Sequence, residues 1–252
     1  MKIKINDQQI AYHESGHGQA FVILHGWGCN KEMFSFLHTH LEDRFRVISV
    51  DLPGFGESEE PKQVWGSHDY ADCIQKLLQV LKAERPIVFG HSFGGRVWLA
   101  CGASADFDKM ILTGSAGLVP KRPLAYYIRV YRYKITKWIY LHSFLKKFYP
   151  HWLENKRKNS GSEDYRNASE MMRKIMVKVI NEDLAKDISK ITAPTILLWG
   201  TEDTATPLTD GKRMEALLKD GALIPLEGGS HYAILEQPKK CLAIIDAFVG
   251  GK

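Results

Sequence analysis

A chain of 252 residues with 44% hydrophobic and 25% charged residues has the make-up of a folded globular protein, which excludes the disordered, collagen-like and coiled-coil classes. The formal net charge is +5, and no apolar run approaches the roughly 20 residues that a membrane-spanning helix requires. Cys29, Cys73, Cys101 and Cys241 are scattered without a CxxC spacing, so neither a disulfide framework nor a zinc site is indicated.

Taken from the N-terminus, Met1-Lys2-Ile3-Lys4-Ile5-Asn6 alternates polar and apolar residues and lacks the apolar core of a secretory signal. It reads as a first strand, Lys2 to Ile5, and a cytoplasmic location is expected. Ile10 to Glu14 continues the alternation, as an antiparallel edge hairpin should. Further strands are expected at Ala20 to Leu24, Arg46 to Val50, Pro86 to Gly90, Lys109 to Thr113, Thr195 to Gly200 and Ala222 to Leu226. Phe21-Val22-Ile23-Leu24, Ile87-Val88-Phe89 and Ile196-Leu197-Leu198-Trp199 are continuously apolar, the pattern of strands covered on both faces. Helical patterns between them cover Met33 to Leu41, Asp69 to Leu81, Gly94 to Ala103, Leu208 to Leu218 and Pro238 to Val249. The alternation predicts an α/β fold with an eight-stranded, mostly parallel sheet flanked by helices.

From 118 to 191 the strands stop and helical patterning takes over. This segment is expected to be an inserted α-helical cap, with 1–117 and 192–252 forming the core. Between Val119 and Lys190 there are 17 lysines and arginines against 7 acidic residues, a net of +10 that leaves the remainder at −5. Such a surface suits an anionic substrate, an acidic carrier protein or an anionic surface, or it is simply a solvated helical face. No nucleic-acid-binding motif is present. Tyr127, Tyr131, Ile135 and Trp138 share one helical face, continued by Leu141, Phe144 and Phe148, and this stripe is expected to pack on the core. Tyr127, Tyr131 and Trp138 are also candidates to line an acyl pocket.

Chemistry concentrates at four points. Gly90-His91-Ser92-Phe93-Gly94 matches G-x-S-x-G between a strand and a helix, where a strained turn lifts the serine hydroxyl above the sheet. A serine hydroxyl is a weak nucleophile that requires a base, and His231 in Gly228-Gly229-Ser230-His231 follows the last strand at the same edge. An acid must orient that imidazole, and Glu202 and Asp203 both follow the seventh strand. His25-Gly26-Trp27-Gly28 follows the third strand, and Gly26 and Gly28 permit close backbone approach to a substrate.

Together with Asp51-Leu52-Pro53-Gly54-Phe55-Gly56-Glu57-Ser58, these motifs resemble the α/β-hydrolase superfamily over 1–117 and 192–252. The resemblance implies a Ser92-Asp203-His231 triad, with Asp203 preferred to Glu202 because Gly200, Asp203 and Pro207 match G-x-x-D-x-x-x-P. It implies an oxyanion hole from the backbone N–H groups of Trp27 and Phe93, a structural turn at Asp51, and no metal or organic cofactor. Serine at position 92 argues against the dehalogenase and epoxide hydrolase branches, whose nucleophile is a carboxylate. The expected reaction is cleavage of a small or medium carboxylic ester through an acyl-enzyme. C–C bond hydrolysis of ring-cleavage products and enol-lactone hydrolysis use the same motifs, and a ligand receptor with a retained triad is the reading from a different class. His25-Gly26-Trp27-Gly28-Cys29-Asn30 is also similar to the oxyanion loop of pimeloyl-carrier-protein methyl esterases.

Overall fold

Phe21-Val22-Ile23-Leu24 has no polar position because both faces of its strand are covered. In the computed structural model, which describes residues 1–102, 104–119, 124–143 and 163–250, Val22 and Leu24 face one hydrophobic core and Phe21 and Ile23 the other. The two-residue period of a strand divides each continuously apolar run in this way. Leu197 and Trp199 likewise join the first core while Ile196 and Leu198 join the second.

Eight strands form one sheet among the described residues: β1 Lys2–Ile5, β2 Gln8–Ser15, β3 Ala20–Leu24, β4 Arg46–Val50, β5 Ile87–His91, β6 Lys109–Thr113, β7 Thr195–Gly200 and β8 Gly221–Leu226. Their order is β1-β2-β4-β3-β5-β6-β7-β8. β1 pairs antiparallel with β2, and β2 with β4, while every other pair is parallel. The α/β architecture expected from the alternation is therefore present. Its fifth strand ends one residue later than expected, at His91.

On one face lie α2 (Ser67–Val80) and α3 (Phe93–Cys101), which contribute Tyr70, Ile74, Leu77, Val97 and Trp98 to the first core. On the other, α1 (Ser35–Leu41) and the C-terminal helix Pro238–Val249 supply Leu37, Leu41, Cys241 and Ile245. Cys73, Cys101 and Cys241 are buried, and burial pushes each thiol upward, Cys73 to about 12 and Cys241 to about 11. These thiols act as packing residues.

The chain runs from β3 outward to β4 and then returns across β3 to β5. That reversal opens a crevice at the carboxyl ends of β3 and β5, where α/β sheets bind ligands. The loop after β3 and the turn after β5 carry the His25 and Ser92 motifs to that crevice.

Between β6 and β7 the described residues form helices only: α4 Leu124–His142, α5 Glu163–Asn167, α6 Glu170–Val179 and α7 Ala185–Ile188. Met172, Ile175 and Val179 bury one face of α6 in the first core. Glu182 Oε2 accepts the Ser67 N–H at 2.8 Å, satisfying a donor at the start of α2. The α4 stripe departs from expectation. Tyr131, Ile135 and Trp138 are exposed, while Tyr140 is the buried one among the described side chains of α4. The opposite face is the less exposed one, where half-buried Tyr133 lies two turns before Tyr140. Phe144 and Phe148 lie outside the described residues. No described helix is long and apolar enough to cross a membrane.

Candidate active site

Ser92 stands alone between β5 and α3 with φ 50° and ψ −107°, a conformation that costs an L residue about 1–3 kcal/mol. Its neighbours hold it there. The Ser92 N–H donates to Thr113 O at 3.0 Å, and its carbonyl accepts the N–H groups of Arg96 and Ala116, each at 3.1 Å. A Cβ at Gly90 would lie 2.7 Å from Gly95 Cα, and one at Gly94 would lie 2.7 Å from His25 O. Glycine on either side therefore lets the turn close against α3 and the end of β3.

Asp203, in the loop after β7, is 5% exposed, whereas Glu202 points to solvent. Asp203 Oδ2 lies 2.8 Å from His231 Nδ1, and Oδ1 accepts the N–H groups of Ala205 and Thr206, both at 2.8 Å. Burial alone raises the Asp203 carboxyl, but the hydrogen bonds from His231 and Thr206 outweigh it and hold the group below its ordinary value. An ionised carboxylate only accepts, so Nδ1 carries the His231 proton and Nε2 is left as an acceptor. The Glu202 N–H donates to Gly229 O at 2.9 Å, tying the acid loop to the histidine loop. Gly114, at φ 48°, backs the pair; a Cβ there would lie 3.1 Å from His231 Nδ1.

The His231 ring lies over the elbow, its centroid 4.8 Å from that of His91, the residue before Ser92. Ser92 Oγ makes no hydrogen bond among the described residues. Asp203 and His231 are thus hydrogen-bonded to each other, while Ser92 Oγ is not bonded to His231.

The loop after β3 approaches from the other side. His25 donates from Nδ1 to Gly26 O at 2.7 Å and accepts the Leu52 N–H at Nε2, 3.0 Å away. Burial lowers its pKa to about 4, so the ring is neutral and fixed in one tautomer. Asp51, fully buried, accepts the Lys31 N–H at 2.6 Å, Lys31 Nζ at 3.0 Å and the Glu57 N–H at 2.9 Å. A Cβ at Gly26 would lie 3.4 Å from Ser92 Cβ, so the loop rests on the elbow, and Gly28 takes a positive φ of 74°. The Trp27 ring meets Phe55 and Phe93 edge-on at 4.9 and 5.1 Å. Neither the Trp27 nor the Phe93 N–H has an acceptor among the described residues, and Phe93 opens α3, where the helix dipole favours negative charge.

Ser92, His231, Asp203, Trp27, Phe93 and Gly26 therefore come together at one edge of the sheet, with Gly28 in the same loop as Gly26 and Trp27. Tyr131 and Trp138 are 60% and 62% exposed, and the Tyr127 side chain lies outside the described residues. Sequence reasoning missed Thr206, whose signal was a hydroxyl three residues after the acid. It also passed over His91 and the Lys31–Asp51 tether, which join segments far apart in the chain. Among the described residues no group of three or more His, Cys, Asp or Glu is arranged to hold a metal ion.

Comparison with known proteins places this geometry in a wider setting. A family model described as the alpha/beta hydrolase fold matches residues 19–238. The AB hydrolase superfamily protein YisY of Bacillus subtilis is 30% identical, the match covering 92% of each chain. Haloalkane dehalogenase 2 of Mycobacterium tuberculosis is 25% identical over 95% of this chain and 91% of its own. An esterase from Exiguobacterium antarcticum, EaEST, superposes with a TM-score of 0.75 at 24% identity, over 98% of both chains.

Proposed function

Because the chain belongs to the α/β-hydrolase fold family, we propose that it cleaves a small or medium carboxylic ester through an acyl-enzyme on Ser92. The observation that carries this reading is the buried Asp203–His231 pair at 2.8 Å beside a serine at positive φ. His231 Nε2 takes the Ser92 hydroxyl proton as Oγ adds to the ester carbonyl carbon. The resulting oxyanion is held by the Trp27 and Phe93 N–H groups, each of which contributes a few kcal/mol in sites of this kind. Collapse breaks the carbon–oxygen bond to the alcohol, which leaves with the proton from His231. A water deprotonated by His231 then attacks the acyl carbon, and Ser92 is regenerated with release of the acid.

Haloalkane dehalogenase 2 is a relative over most of the chain, but a serine at position 92 favours acyl transfer over a carboxylate nucleophile. The helical segment 118–191 is read as a cap over this site. Replacement of Ser92 by Ala is expected to lower kcat on a short ester roughly 10⁴- to 10⁶-fold and to abolish labelling by a fluorophosphonate. A fluorophosphonate adduct that persists in Ser92→Ala, or activity near the parent level, overturns the assignment.

A further inference from the structure

The exposed face of α4 has a composition that a solvated helix does not need. Ile128, Tyr131, Ile135, Trp138 and Ile139 are all exposed, Ile135 at 57%, and at 3.6 residues per turn they fall within about 100° of arc. Lys134 flanks this stripe on one side and Arg132 on the other, both exposed. Lys134 Nζ lies 5.5 Å above the Tyr131 ring, and the Trp138 ring stacks on His142 at 4.9 Å. The helix has cationic residues at 129, 132, 134 and 137 and no acidic residue. Its opposite face carries the buried Tyr140 and the half-buried Tyr133.

An apolar stripe bordered by cations on both sides, with an indole and a phenol on it, is the arrangement of a helix that lies in a membrane interface. The aliphatic residues enter the acyl boundary, the aromatic rings sit at headgroup depth and the cations pair with lipid phosphates. An acidic protein surface would have to bring a matching apolar patch of its own to cover five exposed apolar side chains, whereas an anionic lipid surface offers apolar and anionic groups together. We infer that the Ile128–Ile139 face of α4 docks the protein on an anionic lipid surface. The inference does not rest on the ester reading, because it is argued only from the exposure and charge of the α4 face.

The test is sedimentation with vesicles of phosphatidylcholine alone and of phosphatidylcholine mixed with phosphatidylglycerol. The parent protein is expected to pellet with the anionic vesicles, less so as salt is raised, and to stay in solution with the neutral ones. Ile135→Glu and Lys134→Glu are each expected to weaken binding, Ile135→Glu by roughly tenfold or more. Both should turn over a short soluble ester at the parent rate, which also shows that they fold. Absence of binding to anionic vesicles overturns the inference, as does binding that depends on Lys134 but not on Ile135, the pattern of an electrostatic protein contact. A concentration-dependent dimer that Ile135→Glu dissociates, without lipid binding, assigns the face to a second copy and also overturns it. Vesicle binding by a protein inert to esters and fluorophosphonate leaves this inference standing and removes only the proposed activity.

Discussion

Thr206 Oγ1 lies 2.8 Å from Asp203 Oδ2 and 3.3 Å from His231 Nδ1, so one hydroxyl touches both side chains of the Asp203–His231 pair. It is also 3.0 Å from Gly114 O, which gives its single proton two acceptors. Donation to Asp203 holds the carboxyl ionised and leaves it facing His231. Thr206→Val keeps the shape and removes the donor. Only the part of this charge-assisted bond that strengthens as His231 gains its proton enters kcat/KM, so kcat/KM on an ester should fall roughly three- to tenfold. Thr206→Ser should restore most of it. Unchanged kcat/KM in the valine variant, with only a lower melting temperature, would leave Thr206 a packing residue.

Asp203 and Glu202 are adjacent in sequence and opposite in setting. Asp203→Asn preserves volume but offers Nδ1 of His231 an amide that can donate, which favours the wrong tautomer. The expected loss in kcat is roughly 10⁴-fold with the fold intact. Glu202→Gln should stay within about twofold, since the Glu202 side chain is exposed and its backbone N–H makes the tie to Gly229. Steady-state assays on the two variants separate them, and a reversed order would move the acid to Glu202.

The legible parts of this molecule are those governed by local rules. Ile196-Leu197-Leu198-Trp199 announces a strand buried on both faces, and G-x-S-x-G announces a tight turn, because each requirement is met by neighbouring residues. Family pattern chose Asp203 over Glu202, and the geometry brings Asp203 to His231. The α4 stripe was misread because periodicity identifies an apolar face without saying what covers it. Nothing in the spacing of Tyr131, Ile135 and Trp138 distinguishes a core from a surface that meets another phase. The Thr206 contact with His231 and the Lys31–Asp51 pair escaped notice for a different reason: each joins segments that meet only after the sheet has assembled.

The Asp51 carboxylate anchors the loop that carries the Trp27 N–H. Asp51→Asn leaves one carbonyl oxygen where two oxygens accepted three donors, and turns an NH₂ group toward the Lys31 or Glu57 donors in a fully buried place. An unsatisfied buried donor and a weakened buried ion pair together cost about 2–4 kcal/mol. Thermal unfolding should shift down by roughly 5–15 °C. If Trp27 supplies an oxyanion donor, kcat should fall more than KM rises, whereas a loss of stability alone at unchanged kcat would detach this loop from the chemistry.

Buried histidines make stability depend on pH, His25 and His91 being shifted furthest and His38 lowered by burial as well. Burial lowers His25 to about 4 and, with help from the charge of His231, lowers His91 to about 3, against an unfolded value near 6.5. Below pH 6.5 the unfolded chain binds protons that the native state refuses, so stability falls as pH falls, and the loss continues down to the native pKa values. At pH 4 it amounts to about 3 kcal/mol for each ring. Asp203 titrates below its ordinary value, so its contribution is lost only at lower pH still and does not set this window. The melting temperature should therefore decline between pH 6.5 and 4. His91→Asn, which keeps a donor for Thr113 O, should lower the melting temperature at pH 7 yet show a shallower decline. The slope is the decisive quantity, because a cavity or a lost ring contact changes stability equally at every pH. A parallel decline in parent and variant would mean that His91 is protonated in the native state.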